Sequence, residues 1–296
     1  MNAVVADFVT DFEFSRAAQK ESIHMLIVNS ILTVLSPVLG TACRPFTADT
    51  TLISFGAKAR LARSNLGGVG GRCDADGSEC TQGLRTASTP PDVYIENVAP
   101  NVDLQLTNES EYRTWNANAN GLRPDSLLGV INLMAPRQQY QASHWQPTIT
   151  FTQIRFSFRA HTPALIGAPV TLSRVYFSFL DFDTKTNGAA RECLALLNGQ
   201  SSDANGAADV HTTVHTSNAT ELARLVPPAN ESLWPSDALW ARALLYCASE
   251  RGDNSDNPTD PSALSPLSAS RAILVELTNT SSLVVRLLPP LPTNTT

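Results

Sequence analysis

The chain has 296 residues and a formal net charge of -6, from 21 Lys+Arg against 27 Asp+Glu, and 43% of it is hydrophobic. Only 16% is charged, against roughly 25% in an average soluble domain, and Ser, Thr, Asn and Pro fill the polar positions instead. Lysine occurs only at Lys20, Lys58 and Lys185 and the arginines are scattered singly, so there is no basic stripe to neutralise phosphates and no nucleic-acid partner is expected.

Residues 25–42 read MLIVNSILTVLSPVLGTA, a stretch without a charge. Gly40 and Ala42 give the small-residue spacing at which a signal peptidase cuts, and Pro37 interrupts a helix just before it. Residues 1–42 are therefore expected to be a signal peptide, or a signal anchor if the segment stays in the membrane. The leader is atypical, because Asp7, Asp11, Glu13 and Glu21 stand where a positive region is usual. A buried core helix is the competing reading of the same stretch. Residues 43–288 are expected to form a single domain, and 289–296 (PPLPTNTT) a disordered tail.

Gly67, Gly68, Gly70 and Gly71 come next, in LGGVGG. They lack the Lys-Ser/Thr of a phosphate-binding loop and the third glycine of a dinucleotide motif, so the expected role is close passage of the chain over a sheet. Cys73 and Cys80 bracket the polar segment DADGSE, a spacing at which a short disulfide loop closes easily. Cys193 and Cys247 each follow an apolar segment and are candidates for a second bridge, which leaves Cys43 over. Sequons for N-glycosylation stand at Asn108, Asn218, Asn230, Asn279 and Asn294.

Short runs rich in β-branched and aromatic residues follow at 93–98, 102–107, 129–133, 148–158 and 170–183, and again at 210–214, 271–277 and 283–288. All read as strands, while 240–247 suits either a strand or a short helix. In 170–183, Val175, Phe177 and Phe179 alternate with Tyr176, Ser178 and Leu180, so both faces are largely apolar and the strand belongs in the centre of a packed sheet. Residues 187–208 and 225–237 read as long loops. With 19 prolines, 15 glycines and no alternation of strand with helix, the expected fold is all-β: an antiparallel β-sandwich of jelly-roll type with long loops.

Five pieces occur in an order that resembles a known family: RSNLGGVGG (63–71), VDLQLTNESEY (102–112), PVTLSRVYFSFLDFDT (169–184), REC (191–193) and GDNSDNPTDPSAL (252–264). They are similar to an uncharacterised extracellular domain of large surface or secreted proteins in marine microalgae such as dinoflagellates. The resemblance covers residues 59–288. It implies the β-rich fold and export, and implies no activity.

The strongest candidate for chemistry is acidic. By the strand period of two, Asp181 and Asp183 are expected on one face where a strand runs into a loop. Two such carboxylates can share a hard cation with main-chain oxygens, and calcium takes six to eight oxygen ligands. Asp253, Asn254, Asp256 and Asp260, in a proline-punctuated loop with Asn257, form a second cluster that is expected to approach the first. The bland alternative is turn chemistry at both places. His211 and His215 share a strand face, as zinc ligands can, but lack an identifiable third ligand. Tyr112 and Trp115, in the Asn-rich EYRTWNANANG, suit stacking on a sugar ring, or else fold back as a lid over the core.

There is no G-x-S-x-G elbow and no H-E-x-x-H, and no catalytic residue is assigned. The functional expectation is a secreted or cell-surface module that binds a carbohydrate or matrix partner, with Ca2+ as its one candidate cofactor. A glycan-acting hydrolase and a structural coat or wall component without a small-molecule site are the alternatives. A membrane partner follows only if the leader is retained.

Overall fold

The computed structural model describes residues 7–8, 51, 58–69, 90–112, 120–122, 128–131, 133, 151–184, 192–197, 211–225, 243–251 and 264–288. Its strands are β1 (Asp7–Phe8), β2 (Arg60–Ser64), β3 (Asp92–Ala99), β4 (Val102–Asn108), β5 (Gly121–Leu122), β6 (Leu128–Val130) and β7 (Thr152–Ala160). They continue with β8 (Leu172–Phe179), β9 (Cys193–Leu196), β10 (His211–Thr216), β11 (Leu222–Leu225), β12 (Leu244–Ala248), β13 (Ile273–Thr280) and β14 (Ser282–Leu288). Helix is confined, among the described residues, to the 3-10 turn Leu66–Gly68 and the single turn α1 (Pro266–Ser270). Ser265 caps α1 by accepting from the Ser268 N–H at 3.0 Å, and Pro266 opens it, where its missing N–H costs nothing.

The sheets are antiparallel apart from the β1–β6 pair. One has eight strands in the order β11-β12-β9-β14-β7-β4-β3-β2, a second has the order β10-β13-β8, and a small third has β1-β6-β5. On β7, Ile154, Phe156 and Phe158 alternate onto the inner face and are fully buried. They meet β8: the Phe156 and Phe158 rings each lie 5.7 Å from that of Phe177, and Phe156 lies 6.2 Å from Phe179. The eight-stranded and three-stranded sheets therefore share one core, in which each buried aromatic contributes roughly 1.5–3 kcal/mol. The outer face of the large sheet is not bare either. Cys193, Ala195, Leu245, Cys247, Val284 and Leu288 form a second buried cluster there, which is why β9 is a continuous apolar run and β14 is buried along its whole length.

Four expectations change. The 240–247 segment contributes a strand, β12, and no helix turn lies in its described part. The loop expected over 187–208 contains β9, whose four residues are too few to show a period and become a strand because β12 and β14 flank them. The long strand expected to run to Asp183 stops at Phe179, since Asp181 adopts φ 65°, in the left-handed region that ends the pleat. Within its sheet β8 lies at the end of the described order rather than the centre, with the Thr51 N–H donating to the Arg174 carbonyl at 2.9 Å.

At the glycine-rich turn, Gly67 has φ 67° and a Cβ there would come within 2.7 Å of the Tyr112 ring. Close passage is thus real at Gly67. Gly68 is held by its φ of 74° alone, in open space. The 9–42 part of the leader, Cys43, Cys73, Cys80, Gly70, Gly71 and the 289–296 tail lie outside the described residues.

Candidate functional site

The expected acidic pair lies at one end of the shared core, where the chain leaves β8 through residues 180–184. Because Asp181 turns left-handed, the two carboxylates do not follow the strand alternation. Asp181 is buried at 3% exposure, and the Asp183 side chain is 29% exposed. Asp183 accepts from Arg271 Nη1 at 2.9 Å. The same guanidinium donates from Nε to Glu221 Oε2 at 2.8 Å and from Nη2 to the Arg251 carbonyl at 2.8 Å.

Four chain segments are pinned by this one cation. Asp183 follows β8, Glu221 precedes β11, Arg251 follows β12, and Arg271 itself links α1 to β13. Backbone bonds tie the same segments together: Thr184 N–H to the Glu250 carbonyl at 2.9 Å, Glu221 N–H to Ser270 at 2.9 Å, and Ser249 N–H to Glu221 at 2.9 Å. The Arg271 side chain is 5% exposed. Burial works against its charge, but the bonds to Glu221 and Asp183 outweigh it and hold the guanidinium above its ordinary value.

Glu192 completes the cluster. It exchanges with Asp183 along the backbone, Glu192 N–H to the Asp183 carbonyl at 3.1 Å, while its own Oε2 accepts from the Asp183 N–H at 3.1 Å. Its exposure is 4%. Burial first, then the negative charge of Asp183, pushes this carboxyl well above the ordinary range. The cluster thus draws a buried carboxyl, two further carboxylate side chains and a guanidinium from separate chain segments into one place.

The second acidic cluster, Asp253, Asn254, Asp256 and Asp260, lies outside the described residues, but its root does not. Thr184 and Arg251 form a parallel β-bridge, so the chain enters the 252–263 segment beside the residue that follows Asp183. Among the described residues no group of three or more His, Cys, Asp or Glu has metal-binding geometry.

The remaining candidates are dispersed. Tyr112 is 8% exposed and belongs to the core, with its hydroxyl donating to Asn120 Oδ1 at 2.7 Å and its ring packed over Gly67. Tyr112 is thus packed into the core, while its expected partner Trp115 lies outside the described residues. Cys193 and Cys247 are disulfide-bonded across β9 and β12, where they stand directly opposite each other. His215 Nε2 lies 3.1 Å from Glu276 Oε2, and Arg174 Nε lies 3.3 Å from the other oxygen of that carboxylate. His215 is therefore engaged within its own sheet; the His211 side chain is outside the described residues.

Arg271, Glu192 and Glu221 are not found by reading motifs. REC carries part of the resemblance but gives Glu192 no role, Arg271 sits in the plain triplet SRA, and only the folded chain brings them to Asp183. A weak signal existed: Glu192 and Glu221 stand directly before β9 and β11, and Arg271 one residue further from β13, places where a charge is solvated only if the strand end is open. Comparison with family models, curated proteins and solved structures finds no match.

Proposed function

We propose that the chain is a secreted or cell-surface binding module, a β-sandwich of jelly-roll type whose rim at Asp181–Thr184 engages a carbohydrate or matrix partner with calcium. The sandwich reading is supported by the chain's path: β7, β9, β11–β12 and β14 belong to one sheet, and β8, β10 and β13, which alternate with them, to the other. Export is supported by the Cys193–Cys247 bridge, since disulfides persist in oxidising compartments.

The observation that carries the reading is the Thr184–Arg251 bridge, which roots the acidic 252–263 segment beside Asp181 and Asp183. In this proposal Asp181 and Asp183 act with Asp253, Asn254, Asp256 and Asp260. Oxygen–calcium distances of about 2.3–2.6 Å and weak affinities of about 10⁻⁴–10⁻³ M are the ordinary range for such extracellular sites. Thermal melting under calcium titration tests it. The expected result is a midpoint that rises at millimolar calcium in the parent and stays fixed in Asp183→Asn; an unmoved parent midpoint sinks the calcium reading. Glycan-array binding compared between parent and Trp115→Ala tests the sugar route, and equal signals remove Trp115 from it.

A second reading has an observation of its own. Arg271 already pairs with both Asp183 and Glu221, so these carboxylates have a protein counter-ion of their own, as a coat or wall component with a purely structural rim requires. The hydrolase alternative gains nothing from Glu192, whose raised carboxyl is buried away from any substrate.

A further inference from the structure

We propose that Asn218 and Asn279 carry N-linked glycans and that Asn108, which has the same sequon, does not. The inference rests on the exported reading, because the chemistry requires a secretory compartment. The amide Nδ2 attacks the anomeric carbon of an oligosaccharide carried on a polyprenyl diphosphate. A C–N bond forms as the anomeric C–O bond breaks, the lipid diphosphate leaves with the electron pair, and the amide proton passes to a base of the transferase. Nothing is oxidised or reduced. The product needs an amide nitrogen that projects into water with room for a bulky substituent.

Asn218 meets that requirement. It sits in the turn between β10 and β11, where the Thr220 N–H donates to the Ser217 carbonyl at 3.0 Å and the Ala219 N–H donates to Ser217 Oγ at 3.1 Å. That turn buries Ser217 and leaves Asn218 and Ala219 exposed, with no partner for the Asn218 amide among the described residues. The sequon hydroxyl, Thr220 Oγ1, donates to the Ser270 carbonyl at 3.2 Å and accepts from the Leu222 N–H at 3.1 Å. Modification therefore precedes closure of the turn, and the folded state keeps the Asn218 side chain outside.

Asn279 is the same case at the other end of that sheet. It is exposed near the end of β13, where the chain crosses to β14 in the other sheet, with φ 51°, a left-handed conformation that Asn tolerates. Its neighbours are fixed: Thr280 and Ser281 are buried, and the Ser281 carbonyl accepts from the Phe158 N–H at 2.9 Å.

Asn108 differs in the atom that matters. Its Nδ2 donates to the Ser110 carbonyl at 2.9 Å while Oδ1 accepts from the Gly67 N–H at 3.0 Å, so the amide clamps the glycine turn against β4. Gly67 in turn carries the Tyr112 ring. A sugar on Nδ2 stands in the place of that clamp and selects against the modified chain among secreted, folded molecules.

The test expresses the full chain in a eukaryotic secretory host in two forms, one with its own leader and one with residues 1–42 replaced by a proven signal peptide. A glycosidase that converts glycan-bearing Asn to Asp, followed by peptide mass spectrometry, reads occupancy site by site. The expected result is conversion at Asn218 and Asn279 with Asn108 intact. Asn218→Gln and Asn279→Gln each remove one glycan's gel shift. An unmodified Asn218 or Asn279 in protein secreted through the proven signal overturns the proposal, as does an occupied Asn108. If only the form with its own leader stays inside the cell, the export reading fails and the site assignment stands.

Discussion

The two ends of β8 follow opposite physical rules. Before the strand, residues 162–171 carry no charge, and Leu165 and Ile166 stand 60% and 71% exposed on a turn closed by its own backbone. The Ala160 N–H donates to Ala168 at 2.8 Å, the Gly167 N–H to Ala160 at 3.0 Å, and the Leu165 N–H to Thr162 at 2.9 Å. After the strand, about 26 Å away at the usual strand rise, Asp181, Asp183, Glu192, Glu221 and Arg271 crowd into one half-buried cluster. An exposed apolar side chain needs no partner, so the first end is built from consecutive residues. A buried charge is costly unless it is paired, so the second end recruits groups from distant segments and binds them together.

The largest effect expected from breaking that contrast lies in the staple beside the charged end. Cys193 adjoins Glu192 and Cys247 adjoins Ala248, whose N–H donates to the Glu192 carbonyl at 2.9 Å. With a sequence separation of 54, the chain-entropy treatment gives a loss of roughly 4 kcal/mol for Cys193→Ala with Cys247→Ala. Denaturant midpoints of the double variant check it, and a loss under about 1 kcal/mol shows that the cluster holds this end without the staple.

Arg271→Met comes next. It leaves Asp183 and Glu221 facing each other beside Glu192 with their cation gone, an act that costs about 3–5 kcal/mol in a fully buried pair. The lower figure applies, about 3 kcal/mol, because the partners' side chains keep 29% and 27% exposure. Equilibrium unfolding reads this directly. A neutral result refutes the claim that Arg271 ties the four segments.

This contrast also explains what was legible beforehand. The core strands announced themselves, because Val175, Phe177 and Phe179 on β8 and Ile154, Phe156 and Phe158 on β7 carry the period of two that a two-layer core imposes. Asp181 and Asp183 were legible as residues that matter, but their geometry was not. The strand period assumes φ near the extended value, and nothing in LDFDT declares that Asp181 will turn to φ 65°. Arg271, Glu192 and Glu221 were illegible for a different reason. Their partners lie across loops whose closure is set by the register of β8–β13 and β9–β12, a property of the whole sheet rather than of any local pattern. Tyr112 was half legible: its ring and its Asn-rich setting were plain, while the Gly67 turn packed against it comes from 45 residues earlier in the chain, after β2.

Glu192→Gln sharpens the comparison in the stabilising direction. In the unfolded chain this carboxyl titrates near 4.5, and in the folded protein burial and Asp183 hold it well above that. Between those two values the unfolded state releases a proton that the folded state keeps, so the parent loses stability as pH rises from about 4.5. Gln cannot ionise and still offers an oxygen to the Asp183 N–H. The variant should match the parent below pH 4.5 and become progressively more stable than it above, with the gap levelling off once the folded group ionises. Melting midpoints of both proteins across pH check the sign, and a pH-independent difference removes Glu192 as the origin.

The smallest effect belongs to the uncharged end. Leu165→Ser with Ile166→Ser alters two side chains that are already mostly in water, and every hydrogen bond that closes the turn comes from the backbone. Stability should stay within about 0.5 kcal/mol of the parent, the ordinary range for surface substitutions. A larger loss in denaturant unfolding would place these side chains against another part of the chain, and the two ends would then differ in which groups are buried rather than in whether burial is needed. An unchanged midpoint leaves Leu165 and Ile166 without a stabilising task in the isolated chain. The contrast then holds in full: one end of β8 is fixed by backbone closure alone, and the other only by charges that must find one another.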